Sequence, residues 1–457
     1  MAQLKQTEQN AQIIGSETIS TLYADLLDSQ PKLVTDYVPE KQSGIEQKAS
    51  FLAGDVRNPH HVYDRLERDY DKKAEDITVK GQKILGRSDL DPKHTVVYEE
   101  FIKRYQKQNE LMRLARDFSH ATDESERAQL KADYMLLNIE LYGAPVESIY
   151  RSIMQEKLSR IDQKQLTGNA LQVRNELFEM VGYRAGGESV ERFSPSEETV
   201  EWMHGVAESL YGRMLARIPY LNIFSVEDVQ SIFSEIITQE FGDAAADWTV
   251  DVEAAKTINV KSTEKRIVIP EDRAKVSYQE LRGLVVHEIG VHMMRAVTGS
   301  ETDLYPLQNG LNEYYDAEEG LGVVMEQALK GRFSESGTEP YVTAGLAYHD
   351  NMDFRGAFEV KWRLAALAST TKTGEITDES ITKAKDKAYS SVMRSMRGTD
   401  ELPWFKDLAY YNGSIDVWRH LENIKGDDLK FMFMLLGKTN PANAAHERIL
   451  LETKSTN

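Results

Sequence analysis

Residues 279–299 read QELRGLVVHEIGVHMMRAVTG, and this stretch decides how the rest of the chain is read. It holds His287, Glu288 and His292. Two imidazoles with a carboxylate beside the first are what a helix needs to bind zinc and supply a general base, here Glu288. The usual spacing is H-E-x-x-H; this chain has one residue more, H-E-x-x-x-H. At about 100° per residue, an i,i+5 pair lies roughly 140° apart on a regular α-helix and cannot share a small ion. A π-bulge returns the pair to one face, and such bulges concentrate at functional sites. Gly290 falls inside the interval, where a distorted turn costs least. The motif therefore predicts a helix widened between residues 287 and 292.

A tetrahedral catalytic zinc needs a third protein ligand and an open position. Residues 312–331, NEYYDAEEGLGVVMEQALKG, read as a second helix carrying Asp316, Glu318 and Glu319, with Glu326 two turns past Glu319. A loop with Gly299, Pro306 and Gly310 joins the two helices. Helix, loop and return helix is how a gluzincin-type peptidase delivers its carboxylate, so one of these three acids is expected as the third ligand. Asp316, one turn before Glu319, is placed to orient a ligand imidazole from behind. Arg295, three residues after His292, is placed to pair with one of the acids.

Composition narrows the chemistry. The chain has 457 residues, 41% of them hydrophobic, enough for a large core. It has no cysteine. That excludes disulfides, thiolate zinc sites and a cysteine nucleophile, leaves histidine and carboxylate as metal ligands, and fits a reducing compartment. No signal-length apolar core opens the sequence, and no run approaches the about 18 apolar residues of a spanning helix. A soluble, cytoplasmic protein is expected. A net charge of −19 argues against nucleic acid and anionic membrane as partners. It also argues against docking on strongly acidic tails unless a local basic patch overrides the total.

The fold expected is mainly α with a small β-sheet: a helical N-terminal scaffold over 1–190 and a zincin-like, gluzincin-type catalytic domain over 191–457. Residues 1–60 show one helix, 18–29, and a less regular stretch with Pro31, Pro39 and Gly54. Residues 63 to about 165 are charged and helical by their 3–4 spacing. GYRAGGESVERFSP, residues 182–195, marks a boundary loop. Helices over 197–217, capped by Ser196, and 226–241, capped by Ser225, lead to the β-branched runs DWTVDV, TINV and KRIVIP. The strand 266–269 is offered as an edge that pairs with a peptide. His204 reads as an ordinary helix residue and His349 as a reserve ligand. Residues 394–413, RSMRGTDELPWFKDLAYYNG, read as irregular. There Arg397 or Lys406 is a candidate for holding a terminal carboxylate, and Tyr410 for lining the pocket or donating to an oxyanion; a structural Arg–Asp pair is the plainer reading.

HEIGVHMMRAVTG followed by AEEGLG resembles the microtubule-associated tyrosine carboxypeptidase family, whose bacterial members are known as flavohaemoglobin expression-modulating QEGLA-motif proteins. The resemblance covers about 197–413, including the late R-G…F-x-K-D…Y…G segment. It implies one zinc per chain held by His287, His292 and Glu319, with Glu288 as base. It also implies removal of a C-terminal, aromatic, tyrosine-like residue from a peptide or protein. Glu318 stands where the motif has Gln, and Gly322 where it has Ala; neither is expected to touch the ligand. Dipeptidyl peptidase III, which also combines H-E-x-x-x-H with a Glu-bearing helix, is the alternative among exopeptidases. A zinc-stabilised regulatory protein without hydrolytic activity is the alternative outside enzymes.

Overall fold

The computed structural model describes residues 18–453, apart from 37, 64–66, 188–189, 256 and 398–400. Among them the chain is mainly helical with small sheets. No helix among the described residues is long and apolar enough to cross a membrane.

The first half is built from α1 (Ile19–Asp28), α2 (Lys41–Ala53), α3 (Tyr70–Leu85), α4 (Pro92–His120), α5 (Glu124–Tyr142), α6 (Glu147–Asp162) and α7 (Gly168–Val181). Side-chain caps start several of them: Thr18 before α1, Asp69 before α3, Asp91 with Pro92 before α4, Asp123 before α5. Helix α2 lies where the sequence reads as irregular. Glu40 caps its first turn and Gly54, in the left-handed region, ends it. Only Phe51 of its side chains is fully buried, so no apolar stripe announces it.

The chain then runs through α8 (Glu197–Leu215) and α9 (Val226–Phe241) into a three-stranded sheet of β1 (Thr249–Glu253), β2 (Asn259–Lys261) and β3 (Arg266–Pro270). Strand β3 is the middle one, parallel to β1 with Val250 opposite Ile267, and antiparallel to β2 with Val260 opposite Ile267. The expectation of an edge at 266–269 is thus wrong. Ile267, Val268 and Ile269 are all buried, an unbroken apolar run that fits a strand covered on both faces and paired on both sides. The open edges are β1 and β2.

After the sheet come α10 (Tyr278–Leu284), a π-helix (Val285–Met293) and α11 (Met294–Ser300), one continuous rod. Ser277 and Glu280 close a reciprocal capping box at its start. The return helix α12 (Tyr314–Leu329) follows, then α13 (Thr338–Tyr348), α14 (Phe354–Ala368), α15 (Asp378–Ser395) and α16 (Ala409–Asn423). The segment 394–413 is more regular than its glycines and proline suggest: α15 reaches into it, and α16 starts before Tyr410. Its bend is held from outside. The Asn138 side chain donates to Pro403 O (2.8 Å) and accepts from Phe405 N (3.1 Å).

Four apolar cores knit these parts together. The largest packs α8, α9, the sheet, the π-helix rod, α12 and α16. A second joins α6 and α7 to α13, α14 and α15. A third packs α1, α3 and α4 on Leu304, Leu307 and Leu311 of the loop between the two motif helices. The fourth packs α4 and α5 on Leu402 and Trp404. Helices α12 and α16 meet backbone to backbone: a Cβ on Gly320 would lie 2.2 Å from the Gly413 carbonyl carbon, and one on Gly413 would lie 1.9 Å from Asp316 O. Both glycines are there for that approach. Gly413→Ala is expected to lower the unfolding free energy by about 1–3 kcal/mol through overpacking. The urea midpoint measures this, and an unchanged midpoint would mean the crossing has slack.

Candidate metal centre

The π-helix does what the spacing requires. Extra residues per turn bring His287 and His292 to one side, with ring centroids 4.7 Å apart and planes at 73°. Val285, Val286, Ile289, Val291 and Met293 are fully buried and anchor the widened turn in the core. Gly290 has a reason beyond backbone freedom. A Cβ there would lie 2.6 Å from the Tyr211 ring, and the Tyr211 hydroxyl donates to Gly290 O at 3.1 Å.

Helix α12 supplies the carboxylates. Glu326 Oε1 lies 2.7 Å from His287 Nδ1, and Glu318 Oε1 lies 2.9 Å from His292 Nδ1. A carboxylate on Nδ1 fixes the proton there and leaves Nε2 with the lone pair a metal takes, the arrangement found behind metal-ligating histidines. One ligand atom each from His287, His292 and Glu319 lies within 4.8 Å of the others. Their side chains are 12, 11 and 15% exposed, so the cluster is sheltered and still reachable. Two imidazole nitrogens and one carboxylate oxygen are the donor set of a catalytic zinc with an open position. Among the described residues, the Glu288 carboxylate has no hydrogen-bond or ion-pair partner.

Carboxylates crowd the two imidazoles. Burial works against the charge on His287, but the Glu326 hydrogen bond and the charges of Glu288, Glu326 and Glu319 raise its pKa to about 9. Burial likewise disfavours the Glu318 carboxylate; Lys438, Arg295 and His292 overcome that and hold it well below the usual range. Lys438 Nζ lies 2.8 Å and Arg295 Nη1 2.5 Å from its oxygens.

Several expectations change in detail. Both departures from the QEGLA motif touch a histidine: Glu318 bonds His292, and a Cβ on Gly322 would lie 2.7 Å from His287 Nε2. Asp316 orients neither imidazole. It lies where α12 and α16 cross, and burial with the nearby charge of Asp416 raises its pKa to about 6. The imidazoles are oriented by Glu318 and by Glu326, which the sequence marked only as lying two turns past Glu319. The i,i+7 spacing of 319 and 326 on one face was the available signal. His204 Nδ1 lies 2.9 Å from Ala328 O, and His349 Nε2 2.7 Å from Pro145 O, both in packing roles.

The late segment brings Lys406 near Glu319. Lys406 Nζ contacts the Tyr315 hydroxyl and sits 4.1 Å from that ring's centroid. Arg397 lies over Trp404, 5.7 Å from the ring centroid. The Arg–Asp pair forms from Arg394, which the sequence reading did not single out. Its Nε and Nη2 reach Asp407, and Nη2 also donates to the Tyr410 hydroxyl at 3.3 Å. Lys406 and Tyr410 both lie close enough to Glu319 to feel its charge, which favours the protonated form of each. A groove of about 1730 Å³ runs past Tyr315, Asp316 and Lys406 between α4, α5 and the open edge β2.

The two carboxylates behind the histidines should separate by experiment. Glu326→Gln is expected to weaken zinc affinity about 10–100-fold with the fold retained. Glu318→Gln should also lose about 3–5 kcal/mol of stability, because Arg295 and Lys438 stay buried without their partner. Chelator competition and urea unfolding read the two effects. Equal behaviour of the variants would contradict this division of roles.

No curated protein and no solved structure matches the chain. Residues 211–334, from Tyr211 through both motif helices, match the family model described as microtubule-associated tyrosine carboxypeptidase, and this segment is similar to that family.

Proposed function

We propose that this chain is a zinc-dependent metallocarboxypeptidase with a zincin-like catalytic unit. On this reading it removes a C-terminal residue, tyrosine-like in preference, from a peptide or protein. The observation that carries the reading is the pairing of each imidazole Nδ1 with its own carboxylate, which leaves both Nε2 atoms beside Glu319 with Glu288 unpartnered next to them. His287, His292 and Glu319 would hold one zinc ion per chain. When bound, zinc polarises a carbonyl oxygen and makes a water acidic near neutral pH.

The rest is the work of this chain's own groups. Glu288 accepts the proton of the attacking water and delivers it to the leaving amine. Glu318 and Glu326 keep the imidazole rings in one tautomer and orientation. A guanidinium or ammonium group from the late segment suits a substrate that ends in a carboxylate. The groove supports a longer peptide: β2 offers it an open strand edge, and ten Lys or Arg side chains line it against seven Asp or Glu.

Metal content and peptide turnover test the reading together. One zinc is expected in the wild type and little in His292→Ala. Glu288→Gln should keep zinc and lose about 100-fold or more in kcat. Peptides with a free C-terminus should be cleaved whether or not their N-terminus is blocked. Turnover by Glu288→Gln would sink the base assignment, and a bound zinc without any hydrolysis would point to a regulatory protein.

A further inference from the structure

From Asp316 onward, the half-exposed positions in the site-facing part of α12 are Asp316, Glu319, Val323 and Glu326, spaced as one face of a helix. Glu319 and Glu326 serve the metal centre. Val323, one turn beyond Glu319, lines a separate cavity of about 300 Å³. The rest of its lining is Ser336, Gly337, Pro340, Ser391, Ser395, Arg394 and Tyr410. The volume is at the small end of ligand pockets. Its wall is mixed: Val323 and Pro340 are apolar, three serines are polar, and one guanidinium is charged.

The guanidinium is held in a fixed pose. Asp407 takes Nε and Nη2, and the Tyr410 hydroxyl accepts a further bond from Nη2. Among the described residues, Nη1 has no hydrogen-bond partner. Asp407 is itself buried, and Gly337, with φ +72°, packs its Cα against the backbone of Tyr410 and Tyr411, where a Cβ would lie 2.5 Å from Tyr411 N. The arrangement is a preorganised cation with spare donors, in a pocket sized for one side chain, one turn of helix from the third candidate metal ligand. Arg397 and Lys406 do not line this cavity.

Resting on the carboxypeptidase reading above, we propose that this cavity receives the C-terminal residue of the substrate and that Arg394 binds its α-carboxylate. Nη1 donates to one carboxylate oxygen, and the Tyr410 hydroxyl is within reach of the other. The side chain of the departing residue fills the space between Val323, Pro340 and Ser391. Arg394, rather than Arg397 or Lys406, then enforces exopeptidase cleavage.

The test uses the zinc-loaded full chain and peptide pairs that differ only in a free or amidated C-terminus. Wild type should prefer the free acid by about 100-fold or more in kcat/KM. Arg394→Met should bring that ratio near one with zinc content unchanged, while Lys406→Met keeps the preference. A preference that survives Arg394→Met, or that collapses in Lys406→Met instead, overturns the assignment. Ser391→Leu narrows the cavity without touching the Arg394–Asp407 pair and keeps the test open if Arg394→Met folds poorly. It should raise KM about 10-fold for peptides ending in Tyr or Phe and spare those ending in Gly or Ala; equal effects on both classes overturn it. Should the wild type cleave no peptide, calorimetry of the free acid and the amide with wild type and Arg394→Met separates the two ideas. An Arg394-dependent preference in binding keeps the cavity assignment while the hydrolytic reading falls, and no preference removes the cavity assignment.

Discussion

Glu318 is a carboxylate with almost no contact with water and three partners, His292, Arg295 and Lys438. Burying such a charge unpaired would cost several kcal/mol, so the groups around it must be in place for the fold to close. Arg295 also donates to Gly437 O (2.9 Å) and Thr439 O (2.6 Å). Lys438 exchanges backbone bonds with the return loop, its N donating to Leu307 O and its O accepting from Leu311 N. One carboxylate thus joins the π-helix, α12, the return loop and a segment over a hundred residues downstream. The orientation of His292 depends on all four.

His287 is held differently. Its carboxylate, Glu326, is 31% exposed and is backed by Lys330 at 3.6 Å on the protein surface. The two halves of the centre therefore rest on unequal foundations: one imidazole is fixed by the core, the other by a rim pair open to water and salt. Gly322 compensates on the His287 side, since a methyl group there would meet the ring. A small residue at this position lets helix α12 come close enough for Glu326 to reach.

The motif helices were legible because their chemistry is local. An i,i+5 histidine pair demands a widened turn, and the π-helix over Val285–Met293 answers that demand. The small sheet and most helices were legible from periodicity and caps. Three things were not. The interior position of β3 depends on pairing across sequence, although its unbroken Ile-Val-Ile run was a usable sign. The choice among Asp316, Glu318 and Glu319 depends on helix rotation against a π-helix, which no pattern in one strand of sequence specifies. The partner of Asp407 depends on where α15 ends, and Arg394 lies one residue before that end.

The crossing of α12 and α16 at Gly320 and Gly413 ties these layers into one device. A backbone contact of this kind leaves little freedom to slide, because neither helix has a side chain there to repack. Glu319 sits one residue before Gly320, and Tyr410 three residues before Gly413. The separation between the candidate metal ligand and the hydroxyl bound to Arg394 is therefore set by this glycine crossing. On the proposed carboxypeptidase reading, a scissile carbonyl and a terminal group must be held at a fixed interval, and a pair of glycines on rigid helices supplies that ruler better than any loop.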